Sequence, residues 1–120
     1  MKARHYHFLV WAWMALIWIL SSIPQSGIPD LNVFGVDKIA HFGIYFVWGL
    51  WAVLYLLKRQ AGCRHSALFF AIMMFLAALD EYHQHYIPGR QVSVWDLLAN
   101  WGGLIAAYIG YLIYQRKILR

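Results

Sequence analysis

Residues 66–90 read SALFFAIMMFLAALDEYHQHYIPGR, an apolar run that ends in two adjacent carboxylates and a Pro-Gly turn. About 20 predominantly apolar residues are needed for a helix to cross a bilayer. The run therefore predicts a transmembrane helix over residues 66–86, which the Pro-Gly pair terminates. A charge near the middle of a bilayer costs roughly 2.5–3.5 kcal/mol on insertion scales. Asp80 and Glu81 therefore need a structural or functional reason to be there.

Three further apolar runs have the same character, so the sequence predicts an all-α, four-helix transmembrane bundle. In the whole chain 62% of the residues are hydrophobic and only 12% are charged. A soluble domain of 120 residues could not bury so much apolar surface, whereas lipid can cover it. We predict one domain over residues 1–120, with spans at residues 6–23, 37–57, 66–86 and 93–114.

The first span also has features of a secretory signal, because Lys2 and Arg4 precede its apolar core. It ends in Ser-Ser-Ile-Pro-Gln at residues 21–25, without a small-x-small cleavage site, and more apolar spans follow. We therefore expect an uncleaved transmembrane helix. Pro24 and Pro29 then open a polar loop.

Charged residues divide between the two ends of the predicted bundle. All five carboxylates, including Asp30, lie near the loops at residues 24–38 and 86–95. Eight of the ten basic residues lie in the N-terminus, the loop after span two and the C-terminal tail. The positive-inside rule therefore places both termini in the cytoplasm and the two acidic loops outside. The eight are Lys2, Arg4, Lys58, Arg59, Arg64, Arg116, Lys117 and Arg120.

Several function classes lose support from the composition. In a soluble protein, a net charge of +5 would favour binding to nucleic acid. Here the basic residues flank apolar spans, so we expect no nucleic-acid partner. The single cysteine, Cys63, cannot form an internal disulfide and is expected to be a free thiol without a role. We expect no cofactor. The oligomeric state is left open.

Small residues recur every four positions in the fourth span. Gly102, Ala106 and Gly110 form one row, and Gly103 and Ala107 form a second. Small residues at this spacing let membrane helices approach closely. We favour packing within one bundle over a dedicated dimer interface.

Polar residues recur at i and i+4 near three span ends: Asp37 with His41, Asp80 with Gln84, and Asp96 with Asn100. This spacing places both members of a pair on one face of a helix. With a rise of 1.5 Å per residue, the three pairs reach similar depths below the outer surface. We predict that they line one outward-opening pocket together with Arg90, and that Asp80 and Glu81 are buried between helices.

Local structural roles are the alternative for some of these residues. Asp37 could N-cap the second span, and Ser93-x-x-Asp96 matches a capping box with Asp in place of Glu. Capping does not explain Asp80 and Glu81, because the dipole at a helix C-terminus disfavours negative charge. A purely structural ion-pair network would explain them without a functional site.

The order and spacing of these motifs resemble the VanZ-like family of small bacterial membrane proteins. The resemblance covers nearly the whole chain, including the Ser-Ser-Ile-Pro-Gln end of the first span. It implies a four-helix membrane domain in the inner membrane of a bacterium, and the family's namesake is linked to teicoplanin resistance. The matching positions are Asp37, Lys38, His41, Asp80, Glu81, Gln84, Pro88, Gly89, Arg90, Asp96, Asn100 and Gly103.

For function we expect an envelope protein whose pocket binds an anionic or lipid-linked envelope precursor, or a glycopeptide-related ligand. Arg90 and Lys38 would hold a phosphate or carboxylate. The expected ligand-binding residues are Asp37, Lys38, His41, Asp80, Glu81, Gln84, Arg90, Asp96 and Asn100.

Two alternatives remain open from the residues. The protein could be a hydrolase or transferase acting on a lipid phosphate. His41, held by Asp37 or Asp80, would be the general base, and Arg90 would stabilise an anionic transition state. It could instead hold a metal or relay protons, although carboxylates, Gln and one His suit no single metal clearly. No metal ligands are therefore assigned.

Overall fold

The computed structural model describes residues 1–27 and 35–118 and contains four α-helices in this part of the chain. Within these ranges there is no β-strand, as the sequence predicts. Residues 28–34 of the first polar loop, including Asp30, lie outside the described residues, as does Arg120. The helices are α1 (Ala3–Ser21), α2 (Val36–Lys58), α3 (Cys63–His83) and α4 (Val94–Ile118), with single 3-10 turns at Gln25–Gly27 and Gln84–Tyr86.

Three of the helical segments are long and apolar enough to cross a membrane: Val36–Lys58, Cys63–Tyr86 and Val94–Ile118. At 1.5 Å per residue, 23 to 25 residues extend over about 35 Å, which exceeds the roughly 30 Å hydrocarbon core. The third helix starts three residues before the predicted boundary, at Cys63, whose thiol is exposed and free. The crossing of α1 and the orientation of the bundle stay predictions.

The core lies mainly between α2 and α4, which share the largest helix interface. Trp48 and Leu104 are fully buried there. A Cβ atom on Gly103 would lie 2.4 Å from the backbone oxygen of Phe42, so only glycine allows this approach. Small residues thus bring two backbones together within the bundle, as the row of Gly103 and Ala107 predicts.

Tryptophan side chains connect neighbouring helices by hydrogen bonds to backbone carbonyls. The Trp13 indole on α1 donates to the carbonyl of Ile44 on α2 at 3.0 Å. Trp48 on α2 donates back to Val10 on α1 at 2.9 Å. The indole N–H groups of Trp13 and Trp48 are therefore satisfied inside the bundle, and the two hydrogen bonds hold α1 along the side of α2.

Candidate functional site

The polar residues gather where α1 and α3 end and where α2 and α4 begin. Asp80 lies near the end of α3 and is only 1% exposed. Its Oδ2 atom accepts hydrogen bonds from Ser21 Oγ on α1 and from Tyr45 Oη on α2, both at 2.8 Å. One carboxylate thus joins three helices, and the prediction that Asp80 is buried between helices is confirmed.

Glu81 is equally buried, at 2% exposure, and fixes the turn between α3 and α4. Its Oε1 accepts the backbone N–H of Ser93 at 2.8 Å, and its Oε2 accepts the Gln84 side-chain amide at 3.3 Å. The predicted burial of Glu81 is confirmed. Its contacts orient the start of α4, and Glu81 does not line the cavity described below.

The predicted capping box at the start of α4 is only half formed. Ser93 Oγ accepts the backbone N–H of Asp96 at 3.3 Å, as a capping serine does. The reciprocal bond to the Ser93 N–H comes from Glu81 instead of Asp96. The Asp96 carboxylate is therefore free to pair with Lys38 on α2.

Asp37 does not N-cap α2. The capping position is Gly35, and Asp37 lies in the first turn, without a side-chain capping bond. A carboxylate in the first turn is still favoured by the positive end of the helix dipole. Lys38 pairs with Asp37 beside it and with Asp96 on α4, so one ammonium joins the starts of two helices.

His41 connects α2 with α4. Its Nδ1 atom lies 2.9 Å from Asn100 Oδ1, and its Nε2 atom lies 3.9 Å from the Asp96 carboxylate. Asn100 is fully buried, and its side-chain nitrogen has no partner among the described residues. The pair Asp96 and Asn100 therefore fixes the position of the imidazole ring.

Arg90, in the loop before α4, binds the end of α1. Its Nε donates to the carbonyl of Ile23 at 3.1 Å, and its Nη2 donates to the carbonyl of Leu20 at 3.2 Å. Carbonyls in the last turn of a helix lack partners within the helix, and a cation there also suits the helix dipole. Arg90 is thus a clamp on α1, a contact that the sequence did not predict.

The turn around Pro88 and Gly89 packs on the same end of α1. The backbone N–H of Gln25 donates to the Pro88 carbonyl at 3.2 Å. Gly89 has φ +77°, and a Cβ there would lie 2.9 Å from the Gln25 Cβ. The Ser-Ser-Ile-Pro-Gln and Pro-Gly-Arg motifs therefore meet as a single joint between α1 and the α3–α4 turn.

A cavity of about 240 Å³ lies between α1, α2 and α3 at this end of the bundle. One part of its wall is apolar, and the rest carries hydroxyl, carboxyl, imidazole, amide and guanidinium groups. The lining residues are Ile17, Leu20, Ser21, Asp37, Ala40, His41, Ile44, Tyr45, Asp80, Gln84 and Arg90.

The structure brings together five of the seven residues that were expected to line one pocket: Asp37, His41, Asp80, Gln84 and Arg90. The other two, Asp96 and Asn100, lie outside the lining. Both residues contact His41 from α4, and α4 contributes no residue to the cavity lining. The predicted single pocket is therefore a cavity with an adjoining polar cluster behind it.

Sequence reasoning missed two polar cavity residues, Ser21 and Tyr45. Ser21 was given no role from the sequence, although its hydroxyl binds Asp80, the most buried of the described carboxylates. Tyr45 was not selected, because a tyrosine in an apolar helix usually belongs to the core. Its position four residues after His41 and eight after Asp37 was the available signal, since all three then share one helix face.

Metal binding has no geometric support in the described ranges. Residues 1–27 and 35–118 contain no group of three or more His, Cys, Asp or Glu side chains that could hold a metal ion. The carboxylates bind hydroxyl, backbone N–H and ammonium donors instead.

Comparison with known proteins gives one match. The family model described as VanZ/LLP1 matches residues 5–115, which is nearly the whole chain. No curated protein and no solved structure matches the chain. The match covers nearly the whole chain and agrees with the four helices and with the way the motifs meet in the structure. The chain therefore belongs to the VanZ/LLP1 family of membrane proteins.

Proposed function

We propose that the protein binds the polar headgroup of a lipid-linked envelope precursor in the cavity between α1, α2 and α3. The observation that carries this proposal is the two-sided lining. Ile17, Leu20 and Ile44 offer apolar surface, while Ser21, Asp80 and other polar side chains offer hydrogen-bonding groups. A polar headgroup attached to an acyl or polyprenyl chain likewise combines hydrogen-bonding groups with apolar surface.

The size of the cavity suits a headgroup rather than a whole lipid. Small-molecule sites usually measure about 300–1,000 Å³, and this cavity, at about 240 Å³, has room for a phosphate with a small substituent. The chain of such a lipid would remain in the bilayer beside the bundle. Binding would therefore not require the ligand to leave the membrane.

Arg90 supports an anionic part in the ligand. Two of its nitrogens donate to the carbonyls of Leu20, in α1, and Ile23, just after it, while Nη1 has no hydrogen-bond partner among the described residues. A phosphate at Nη1 would form a charge-assisted hydrogen bond. The same guanidinium would then join the ligand to the end of α1.

Eight of the ten Lys and Arg residues lie in the two termini and the loop after the second span. By the positive-inside rule, this distribution supports a cavity that opens on the outer face of a bacterial inner membrane. An envelope precursor exposed on that face would reach the cavity directly from the membrane. A lipid-linked precursor is therefore the ligand class that best joins the cavity with the family to which the chain belongs.

A cavity-filling substitution tests this proposal. Ala40 is exposed and lines the cavity, so Ala40→Trp should fill it without disturbing the core. Ala71, exposed on α3 and outside the lining, provides the matched control Ala71→Trp. Native mass spectrometry of full-length protein released from bacterial-lipid nanodiscs should show a retained phospholipid or lipid phosphate in wild type and Ala71→Trp. Equal retention in Ala40→Trp would contradict the proposal.

One observation favours a second candidate, a hydrolase or transferase acting on a lipid phosphate. His41 lines the cavity, and its Nδ1 contact with Asn100 leaves Nε2 as the nitrogen with a lone pair when Nδ1 donates. An oriented imidazole of this kind suits a general base. The cavity binds the headgroup in both candidates, and they differ only in the role of His41.

A further inference from the structure

The second oxygen of Asp80 is a buried acceptor without a donor. Oδ2 accepts two hydroxyl hydrogen bonds, but Oδ1 has no hydrogen-bond partner among the described residues and is inaccessible to solvent. Asp80 lines the cavity and is 1% exposed. Burying an unpaired carboxylate oxygen is costly, and a ligand that placed a cation beside this carboxylate would offset that cost.

Neither basic side chain expected to hold the ligand binds Asp80 directly. Lys38 pairs with Asp37 and Asp96, and Arg90 directs two nitrogens at the carbonyls of Leu20 and Ile23. In the described part of the chain, neither forms an ion pair with Asp80. His41 and His83 lie near the same carboxylate, but in the described residues neither forms an ion pair or a hydrogen bond with Asp80. A cationic ligand in the cavity would therefore supply a direct ion pair that these residues do not.

Gln84 adds a second acceptor. Its side-chain amide donates to Glu81, which leaves the amide carbonyl oxygen as an acceptor on a residue that lines the cavity. Asp37 adds a carboxylate at the rim. An ammonium group has three donors and no acceptor, which matches a wall that presents carboxylate and carbonyl oxygens.

We infer that the ligand carries a primary ammonium group, which binds the Asp80 carboxylate from the cavity. The inference rests on the proposed headgroup site and names the chemistry of the headgroup. Together with a phosphate at Arg90, the ammonium makes the preferred ligand an aminophosphate.

Methylation of the ligand amine tests this inference in the unmodified protein. The probes are phosphatidylethanolamine, its mono- and dimethyl derivatives and phosphatidylcholine, all with the same acyl chains, presented in nanodiscs to the full-length chain. Each methyl group removes one N–H donor and adds bulk, so retention by native mass spectrometry should fall stepwise, at least tenfold overall. Retention of phosphatidylcholine within twofold of phosphatidylethanolamine would overturn the inference.

Asp80→Asn provides the matched variant. It keeps the shape of the side chain and removes its charge, so the preference for the amine should disappear while phosphatidic acid is still retained. Retention of phosphatidic acid reports an intact fold and an intact headgroup site. A tenfold amine preference that persists in Asp80→Asn would contradict the assignment to Asp80.

Two further arms separate this inference from the headgroup proposal. If Ala40→Trp abolishes retention of every lipid but the methylation series is flat, the headgroup site stands and the ammonium inference fails. If no lipid is retained but soluble ethanolamine protects the protein against thermal unfolding in wild type and not in Asp80→Asn, the ammonium chemistry stands. The source of the ligand is then soluble, and the lipid-linked proposal fails.

Discussion

Ser21, the last residue of α1, donates a 2.8 Å hydrogen bond to Asp80, which lies 59 positions later near the end of α3. Tyr45 on α2 donates to the same oxygen at the same distance. Three helices are thereby fixed around one buried carboxylate. The other oxygen of that carboxylate is buried and has no hydrogen-bond partner among the described residues.

The first prediction concerns the coupling of these hydroxyls to Asp80. Ser21→Ala and Tyr45→Phe should each lower the free energy of unfolding by about 1 kcal/mol, because hydrogen bonds between membrane helices contribute roughly this much. In an Asp80→Asn background the same substitutions should cost clearly less, since the partner charge is gone. Double-mutant cycles measured by denaturant titration in mixed micelles provide the coupling. Ser66→Ala serves as control, because its hydroxyl binds the Cys63 carbonyl within α3.

The second prediction concerns the contact between α2 and α4. Gly103→Ala should destabilise the protein by about 1–3 kcal/mol, because the added Cβ meets the backbone at Phe42 and Phe46, which cannot rotate away. Gly110→Ala on the same helix meets no atom within 4 Å and should have no effect or a gain of up to about 1 kcal/mol. Equal effects of the two substitutions on unfolding would contradict the described packing.

The third prediction concerns the clamp of Arg90 on α1. Arg90→Lys should keep the fold but lose one of the two carbonyl contacts, because an ammonium lacks the planar fork that spans Leu20 and Ile23. We expect about 1 kcal/mol lower stability and weaker ligand retention. Arg116→Lys, at an exposed position in the last turn of α4, is the control and should change neither quantity. Unchanged stability and retention in Arg90→Lys would rule out the clamp.

The fourth prediction separates the two candidate functions at His41. Gln can replace the hydrogen bond to Asn100 but cannot accept a proton as a base. His41→Gln should therefore leave ligand retention within a few-fold of wild type if the protein only binds its ligand. A hydrolase or transferase would lose turnover of the same lipid by about 10²-fold or more. Retention and release of phosphate from labelled lipid are measured on the same sample.

The fifth prediction concerns orientation. Eight basic residues around the termini and the loop between α2 and α3 predict that both termini are cytoplasmic and that the cavity opens outward. Alkaline phosphatase fused after residue 118 should be inactive, and green fluorescent protein at the same site should be fluorescent. The reverse pattern would place the cavity on the cytoplasmic face and remove envelope precursors of the outer leaflet from consideration.

The helices were predictable from sequence because a bilayer requires long apolar runs with their backbone hydrogen bonds satisfied internally. The predicted second span, residues 37–57, differs from the observed Val36–Lys58 by one residue at each end. The burial of Asp80 also followed from the sequence, since a carboxylate deep in such a run must avoid lipid.

The partners of these residues were harder to predict. Arg90 binds backbone carbonyls 67 and 70 positions upstream, and any residue type supplies a carbonyl, so the sequence carries no sign of the contact. Glu81 likewise replaces Asp96 as the partner of the Ser93 N–H, which depends on how the α3–α4 turn folds. Predicting that Asp96 lies outside the cavity would have required the arrangement of the helices in space. The depth of a residue below the membrane surface does not give that arrangement.

The proposed function requires that the cavity beside Ala40 holds the headgroup of a lipid-linked envelope precursor. The most direct measurement places a photoreactive amino acid at position 40 or, as control, at position 71, and identifies the crosslinked lipid by mass spectrometry after irradiation in bacterial membranes. We expect a crosslink to a phosphate-containing headgroup at position 40 and crosslinks only to acyl chains at position 71. Acyl-chain crosslinks alone at both positions would contradict it.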